Sequence, residues 1–255
     1  VVIDDLGAEV PVTRPVQRVV SLVPSITEAI AKTCPQTLVG CTDYCIRPAD
    51  LEAVVGQPVA RVRGTKNPDR RAIVGLHPDL VVANQEENRK NDVILLRQAG
   101  VPVWVTRIDT VDEAVSSLTR LFEEGFGVRC PQWLEEADRQ WREPWCGEVL
   151  SAVTAVWRDP WICVGPDTYI ADVLRHVGVQ PIDLPGGARY PHAALDDLVA
   201  ARPDRVILPD EPYQFGPDDA GAFPDLDVRL VDGQKLAWYG PSMVGARQYL
   251  SSALR

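Results

Sequence analysis

The sequence predicts an α/β protein built of two similar halves, and three observations carry that prediction. The phrase HPDLVVANQEE at 77–87 returns as RPDRVILPDEP at 202–212, with 203 − 78 and 211 − 86 both equal to 125. Each copy reads as a Pro-Asp turn, an apolar run of Val, Leu and Ile, and an acidic loop. The offset persists downstream, where VPVWVT ending at Thr106 faces LDVRLV ending at Val231. A further pairing, with its own offset, joins VSLVPSITEAIA around Pro24 to WICVGPDTYIADVL around Pro166, each a strand, a Pro-containing turn and a helix. Two alike halves imply a cleft between them, and concave sites of that kind take small ligands.

The elements follow in order. RVVSLV reads as a buried strand, and Ser25 or Thr27 is placed to cap the helix ITEAIAKT. LVGCT is a second strand that enters the loop DYCIRPAD. The connection GQPVARVRGTKNPD has few apolar anchors. PDRRAIVGL then reads as a helix with Pro68 near its start. LVVAN is the next strand, DVILLRQAG a helix closed by Gly100, and VPVWVT completes a parallel-type set of apolar strands separated by helices. Thr110 and Glu113 form a capping box for VDEAVSSLTRLFEE, with helical spacing at positions 114, 115, 118, 121 and 122. After GFGVRCP, a helix from Gln132 to Glu143 carries Trp133, Leu134, Ala137 and Trp141 on one face. It is long enough, roughly 18 Å, to join two lobes. The expected division is 1–125 for the N-terminal lobe, 126–148 for the joining helix and 149–255 for the C-terminal lobe.

Composition excludes more than it assigns. A net charge of −10 argues against a nucleic-acid surface, which would show a basic patch. No apolar run approaches the ~18 residues of a membrane span. The chain opens on VVIDDLG without a visible signal peptide, so compartment is not read from that end. Six cysteines show no zinc spacing or disulfide framework. Cys34, Cys41 and Cys163 sit among apolar residues and read as small buried hydrophobes; Cys130 and Cys146 would pair only across a broken helix. The motifs GxGxxG, GxSxG, HExxH and the Walker loop are all missing.

The ordered series RVVSLVPSITEAIA, VGCTDYC, GLHPDLVVA, GVPVWVT and RPDRVILPDEP resembles the helical-backbone substrate-binding proteins of ABC importers. That class serves cobalamin, haem and iron–siderophore uptake. GTKNP (64–68) and QEENR (85–89) resemble a subgroup labelled cobalamin-binding or metal-receptor proteins. There the loop around Cys45 commonly reads Cys-x-His-Pro, where this chain has Cys45-Ile46-Arg47-Pro48. The resemblance implies two Rossmann-like lobes with parallel-type sheets, joined by an interlobe helix. It also implies a monomer that captures a corrinoid or related chelate without catalysis and presents it to an ABC permease. No covalent cofactor is expected, and the ligand would itself carry cobalt or iron. The expected location is extracytoplasmic if transport-coupled; the alternatives are a cytoplasmic binding or sensing module of the same fold and an enzyme derived from it, with Glu86 and Glu211 as an acid–base pair.

In open α/β sheets ligands sit beyond the carboxyl ends of strands. The candidates for ligand binding in the first half are therefore Ser25, Tyr44, Cys45, Asn84, Glu87, Asn88 and Arg89, with Arg47 as a charged donor on the Cys45 loop; Thr65, Lys66 and Asn67 are added because GTKNP resembles the subgroup. In the second they are Tyr169, Tyr190, Tyr213, Phe215, Trp238 and Tyr239. The aromatics would supply faces for a planar macrocycle. Arg47, Arg63, Lys66, Arg89 and Arg189 would meet carboxylates or phosphates. The resemblance implies that an acidic residue on each lobe tip docks the permease; Glu86 and Glu211, at repeat-equivalent positions, are the candidates, and facing the ligand is their alternative. Cys45 and His192 are the only candidate axial metal ligands, and no resident metal site is expected.

Overall fold

A computed structural model describes all of residues 1–255. The chain divides into two compact units. Unit 1 comprises Val1–Ile108, Glu113–Glu135 and Tyr239–Pro241; unit 2 comprises Asp109–Asp112, Glu136–Trp238 and Ser242–Arg255. No helix is long and apolar enough to cross a membrane.

Unit 1 is organised on strands β1 (Val19–Ser21), β2 (Leu38–Cys41), β3 (Ala60–Arg61), β4 (Leu80–Asn84) and β5 (Val103–Thr106). Their order is β3-β2-β1-β4-β5, with every pair parallel. All residues of β1, β2, β4 and β5 are buried, as continuous apolar strands must be when both faces of a parallel sheet are covered. Val20, Val81, Leu96, Val103 and Val105 centre one core cluster. The helix Pro24–Thr33 follows β1 and opens on proline, whose fixed φ suits a first helical position and whose missing N–H costs nothing there. The strand order reverses between β1 and β4, which leaves a crevice at their carboxyl ends.

Unit 2 is built on β6 (Leu150–Trp157), β7 (Trp161–Cys163), β8 (Val179–Pro181), β9 (His192–Ala193), β10 (Arg205–Pro209) and β11 (Val228–Val231). β8, β6, β10 and β11 are parallel, while β7 and β9 extend the sheet antiparallel. Trp161, Phe215 and Phe223 centre its core, together with Val206 and Leu208.

The duplicated phrase is a duplicated structure. β4 and β10 share both ends at the offset (205 − 80 and 209 − 84 are 125), as do β5 and β11 (228 − 103 and 231 − 106). Register follows, with Val81 opposite Val103 and Val206 opposite Val228. His77 (φ 47°) and Arg202 (φ 46°) enter the Pro-Asp turns through the left-handed region. Each aspartate then fastens the start of the neighbouring strand. Asp79 Oδ2 accepts from the Gln17 and Arg18 amides, both at 2.9 Å. Asp204 Oδ2 accepts from the Ser151 amide and hydroxyl, both at 2.7 Å.

Other local expectations need correction. The pairing of VSLVP with WICVGP is not topological: Val19–Ser21 is the central strand of unit 1, whereas Trp161–Cys163 is the return strand of a hairpin with β6. The tight turn at Asp159 (φ 58°) and Pro160 forces that antiparallel return. Pro68 lies in a two-stranded hairpin of Arg63–Gly64 with Asn67–Pro68, and the following helix, Arg70–Gly75, is capped by Asp69 through the Ala72 amide. The helix Val111–Arg120 runs on into a π-helical turn, Leu121–Phe126, closed by Gly127 at φ 72°. The helix Gln132–Trp141 stops two residues short of Glu143, and its residues 132–135 count with unit 1 while 136–141 count with unit 2. All six cysteines are free thiols.

Candidate functional site

In unit 1 the crevice between β1 and β4 is lined by the loop that follows β4. Asn84 and Asn88 build that loop from within. Asn84 Oδ1 accepts from the Glu86 and Glu87 amides at 2.8 and 3.1 Å, and its amide group donates to the carbonyl and hydroxyl of Thr106. Asn88 Oδ1 accepts from the Asn84 amide at 2.8 Å, while its Nδ2 donates to the carbonyls of Leu22 and Thr65 at 3.2 and 3.0 Å. One side chain thus ties the end of β1, the end of β4 and the GTKNP hairpin together. Both asparagines are buried, so their work is to hold the loop that presents Gln85, Glu86, Glu87 and Arg89.

The hairpin adds the second wall. Thr65 is half-buried, and Lys66 and Asn67 are exposed. The Lys66 ammonium donates to the carbonyl of Glu86. Gly64 brings the hairpin close to its neighbours, since a Cβ there would lie 2.5 Å from Asn67 Oδ1 and 3.1 Å from the Tyr44 ring and would push those side chains aside. Tyr44 is 64% exposed, and Arg47 is exposed on the same loop after β2. Arg61, which the sequence reading passed over, braces this loop by donating to the carbonyls of Thr42 and Cys45, both at 2.9 Å. Its place at the end of β3 is the signal that would have found it.

Glu87 is the unusual acid of the group. It accepts from the Tyr239 hydroxyl at 2.6 Å. Burial raises its pKa to about 7 against the lowering effect of that hydrogen bond; Glu86 nearby pushes it up and Lys66 pulls it down. The buried Tyr239 belongs to unit 1, as does Gly240, where any Cβ would lie 2.9 Å from the Ser25 carbonyl. Ser25 is buried, with its hydroxyl lacking a hydrogen-bond partner. Cys45 is enclosed at 0% exposure, with the Thr27 and Thr42 hydroxyls 3.0 and 3.1 Å from its sulfur. Its expected place on a ligand surface is therefore corrected to an interior one.

In unit 2 the loops after β10 and β11 meet each other. Asp210 Oδ1 accepts from the Gly233 amide at 2.7 Å. Glu211 accepts from Trp238 Nε1 at 3.0 Å and Gln234 Nε2 at 3.2 Å, and desolvation raises its pKa against those two bonds. Glu86, by contrast, is exposed on its loop. The repeat therefore equates the two backbones but not the surroundings of the two carboxylates. Tyr169 is buried, with its hydroxyl 3.4 Å from the Trp238 carbonyl. Phe215 stacks on Trp161 with ring centroids 5.9 Å apart and belongs to the core, a correction to its expected ligand role. Tyr213 is half-buried between Phe215 and the exposed Trp157. Tyr190 is half-buried, Arg189 pairs with Asp109 at 2.8 Å, and the exposed His192 sits in β9. No group of three or more His, Cys, Asp or Glu side chains is arranged to hold a metal ion.

Comparison with known proteins places the architecture. No family model matches the chain. The chain is 24% identical over 200 residues, 75% of this chain and 70% of the relative, to the vitamin B12-binding protein of Vibrio parahaemolyticus. Among solved structures, the periplasmic vitamin B12-binding protein of Vibrio cholerae matches with TM-score 0.73 and 18% identity over 94% of this chain and 97% of that one. The periplasmic haem-binding protein of Roseiflexus sp. RS-1 matches with TM-score 0.73 and 17% identity over 94% and 100%. A Helicobacter pylori protein with Ni(II) bound matches with TM-score 0.79 and 15% identity over 98% and 87%. The fold is that of the two-lobed, helical-backbone periplasmic binding proteins. At these identities the likeness speaks for fold, and the strand order and crevice described above are its structural content.

Proposed function

We propose that this chain is a non-catalytic solute-binding protein that captures a corrinoid, haem or ferric-siderophore type chelate outside the cytoplasm and delivers it, as a monomer, to an ABC permease. The observation that supports the reading most is the loop cluster at the β1/β4 crevice. An internally braced acidic loop carries Glu87 and Arg89, and Lys66 bonds to it from the hairpin that approaches the Tyr44 ring at Gly64. In a chain of net charge −10, four exposed cations (Arg47, Arg63, Lys66 and Arg89) on these loops favour an anionic or carboxylate-bearing ligand. Tyr44 offers an aromatic face, and Trp238 and Tyr213 are the corresponding candidates in unit 2. The names of the relatives, which include vitamin B12 and haem binding, support the chelate class. Glu86, exposed at the loop tip, is the stronger candidate for docking a permease, since Glu211 is held by Trp238 and Gln234.

Calorimetric titration with cobalamin, cobinamide, haem and a ferric siderophore tests this. At least one should bind with Kd below about 100 μM, roughly −5.5 kcal/mol. Failure of all four removes the ligand assignment, and turnover of any of them removes the non-catalytic reading.

A further inference from the structure

We propose that Cys41 and Cys45 form a redox-active dithiol that closes to an intramolecular disulfide and thereby fixes the loop carrying Tyr44 and Arg47. β2 delivers Cys41 as its last residue. The Cys45 amide then bonds back to the Thr42 carbonyl at 3.1 Å, folding the chain so that both thiols lie in one enclosed place. Both side chains are 0% exposed, and the two thiols are near enough for each to shift the other's acidity. Three polar side chains converge on them. Arg61 Nη1 lies 3.3 Å from Cys41 Sγ and also reaches the carbonyls of Thr42 and Cys45. The Thr27 and Thr42 hydroxyls lie 3.0 and 3.1 Å from Cys45 Sγ. Packing alone explains the burial of two small side chains, but not a guanidinium and two hydroxyls aimed at sulfur.

These surroundings split the two acidities. Burial pushes the Cys45 thiol up, but hydrogen bonds from Cys41, Thr27 and Thr42 outweigh it and leave Cys45 lowered to about 7. Cys41 is driven up by its hydrogen bond to Cys45 and by burial. The pair therefore loses its first proton from Cys45, which becomes the nucleophile. Burial raises Cys34 to about 11 against one opposing hydrogen bond from Thr37, and raises Cys163 to about 12 unopposed, so both stay inert.

The co-reactant is a small disulfide. The Cys45 thiolate attacks one of its sulfurs, forming a mixed disulfide and releasing one thiolate. Cys41 passes its proton to that thiolate, attacks Cys45 Sγ and expels the second thiolate, which takes up the proton Cys45 had released. Two protein thiols and one small disulfide thus become one protein disulfide and two free thiols. Entry requires opening of the 42–48 loop, whose residues Asp43, Tyr44, Ile46 and Arg47 are already exposed. The inference is independent of which ligand, if any, the protein binds.

The test uses the folded full chain, equilibrated in a series of reduced and oxidised glutathione buffers, acid-quenched and thiol-blocked. Proteolysis before Asp43 parts Cys41 from Cys45, so a linked peptide pair reports the bond directly. The expected result is a Cys41–Cys45 link formed at a more reducing poise than any other pair, at a rate that rises through about pH 7 as Cys45 ionises. Amide exchange across residues 42–48 should slow in the oxidised form. Cys41→Ser and Cys45→Ser should each abolish the link, while Cys146→Ser should leave it intact. The wild-type peptide map decides the matter even if a variant fails to fold. Persistence of both as free thiols, glutathione retained on Cys45 without linkage to Cys41, or links scattered among the other cysteines would overturn the proposal. Unchanged amide exchange on oxidation would overturn the loop-fixing role.

Discussion

A carboxyl shielded from water and bonded to a tyrosine hydroxyl gives up its proton late, and Glu87 is such a group. Its pKa stands at about 7 against a reference of 4.5. Because the folded value lies above the unfolded one, the folded state binds more protons between those limits. Stability should therefore fall as pH rises from about 4.5 to about 7 and level off above. Urea denaturation at pH 5 and pH 8 checks this: Glu87→Gln should flatten the difference. Tyr239→Phe should enlarge it, since the lost hydrogen bond is one that lowers the pKa. Asn88 tests a different kind of residue. Replacing it with alanine leaves the Asn84 amide and the carbonyls of Leu22 and Thr65 without their partner. A loss of about 1–3 kcal/mol follows, measurable as a lower urea midpoint, with faster amide exchange across 84–89. In the sequence Asn84, Asn88 and Glu87 look alike as polar residues after a strand. Nothing within a few residues tells that two of them turn inward, because the Leu22 carbonyl that Asn88 meets is 66 positions away.

At the scale of elements, the Pro-Asp turns show how a sequence repeat becomes a mechanical one. Asp79 and Asp204 each clamp the entry of the neighbouring strand, so Asp79→Ala should lower the urea midpoint of the chain while leaving the helical signal of the folded state unchanged. These strands were legible because a Pro-Asp turn and a continuous apolar run are both short-range features. The misread pairing of VSLVP with WICVGP shows the limit: identical local grammar served a central parallel strand in one case and a hairpin return in the other. The π-helical turn at Leu121–Phe126 was likewise invisible, since apolar spacing alone reads it as more α-helix. Phe122 is fully buried there, tilted against Phe126 at 5.5 Å and edge-on to Trp133 at 6.1 Å. Phe122→Ala should cost about 3–5 kcal/mol, read from thermal or chemical unfolding.

For the whole molecule, the expectation is a binder whose loops, not its core, choose the ligand. If the exposed residues near the β1/β4 crevice contact an anionic chelate, Arg47→Ala and Tyr44→Ala should each weaken binding about 5- to 30-fold, or ~1–2 kcal/mol. Glu86→Ala should leave affinity unchanged and reduce uptake only where a permease is present. Calorimetry separates the two effects from transport assays.

The sequence by itself determined the α/β class, the two strand pairs related by the 125-residue offset, and the strand-end loops in which candidate residues lie. These rest on periodicity and turn chemistry, which act over a few residues. Only the tertiary structure decided which polar side chains at those loops face inward. It made Asn84 and Asn88 braces, turned Glu211 to Trp238 and Gln234, put Phe215 into a core, and enclosed Cys41 with Cys45 under Arg61. Each of those outcomes depends on a partner supplied by a distant segment, and a partner's position exists only once the chain has folded.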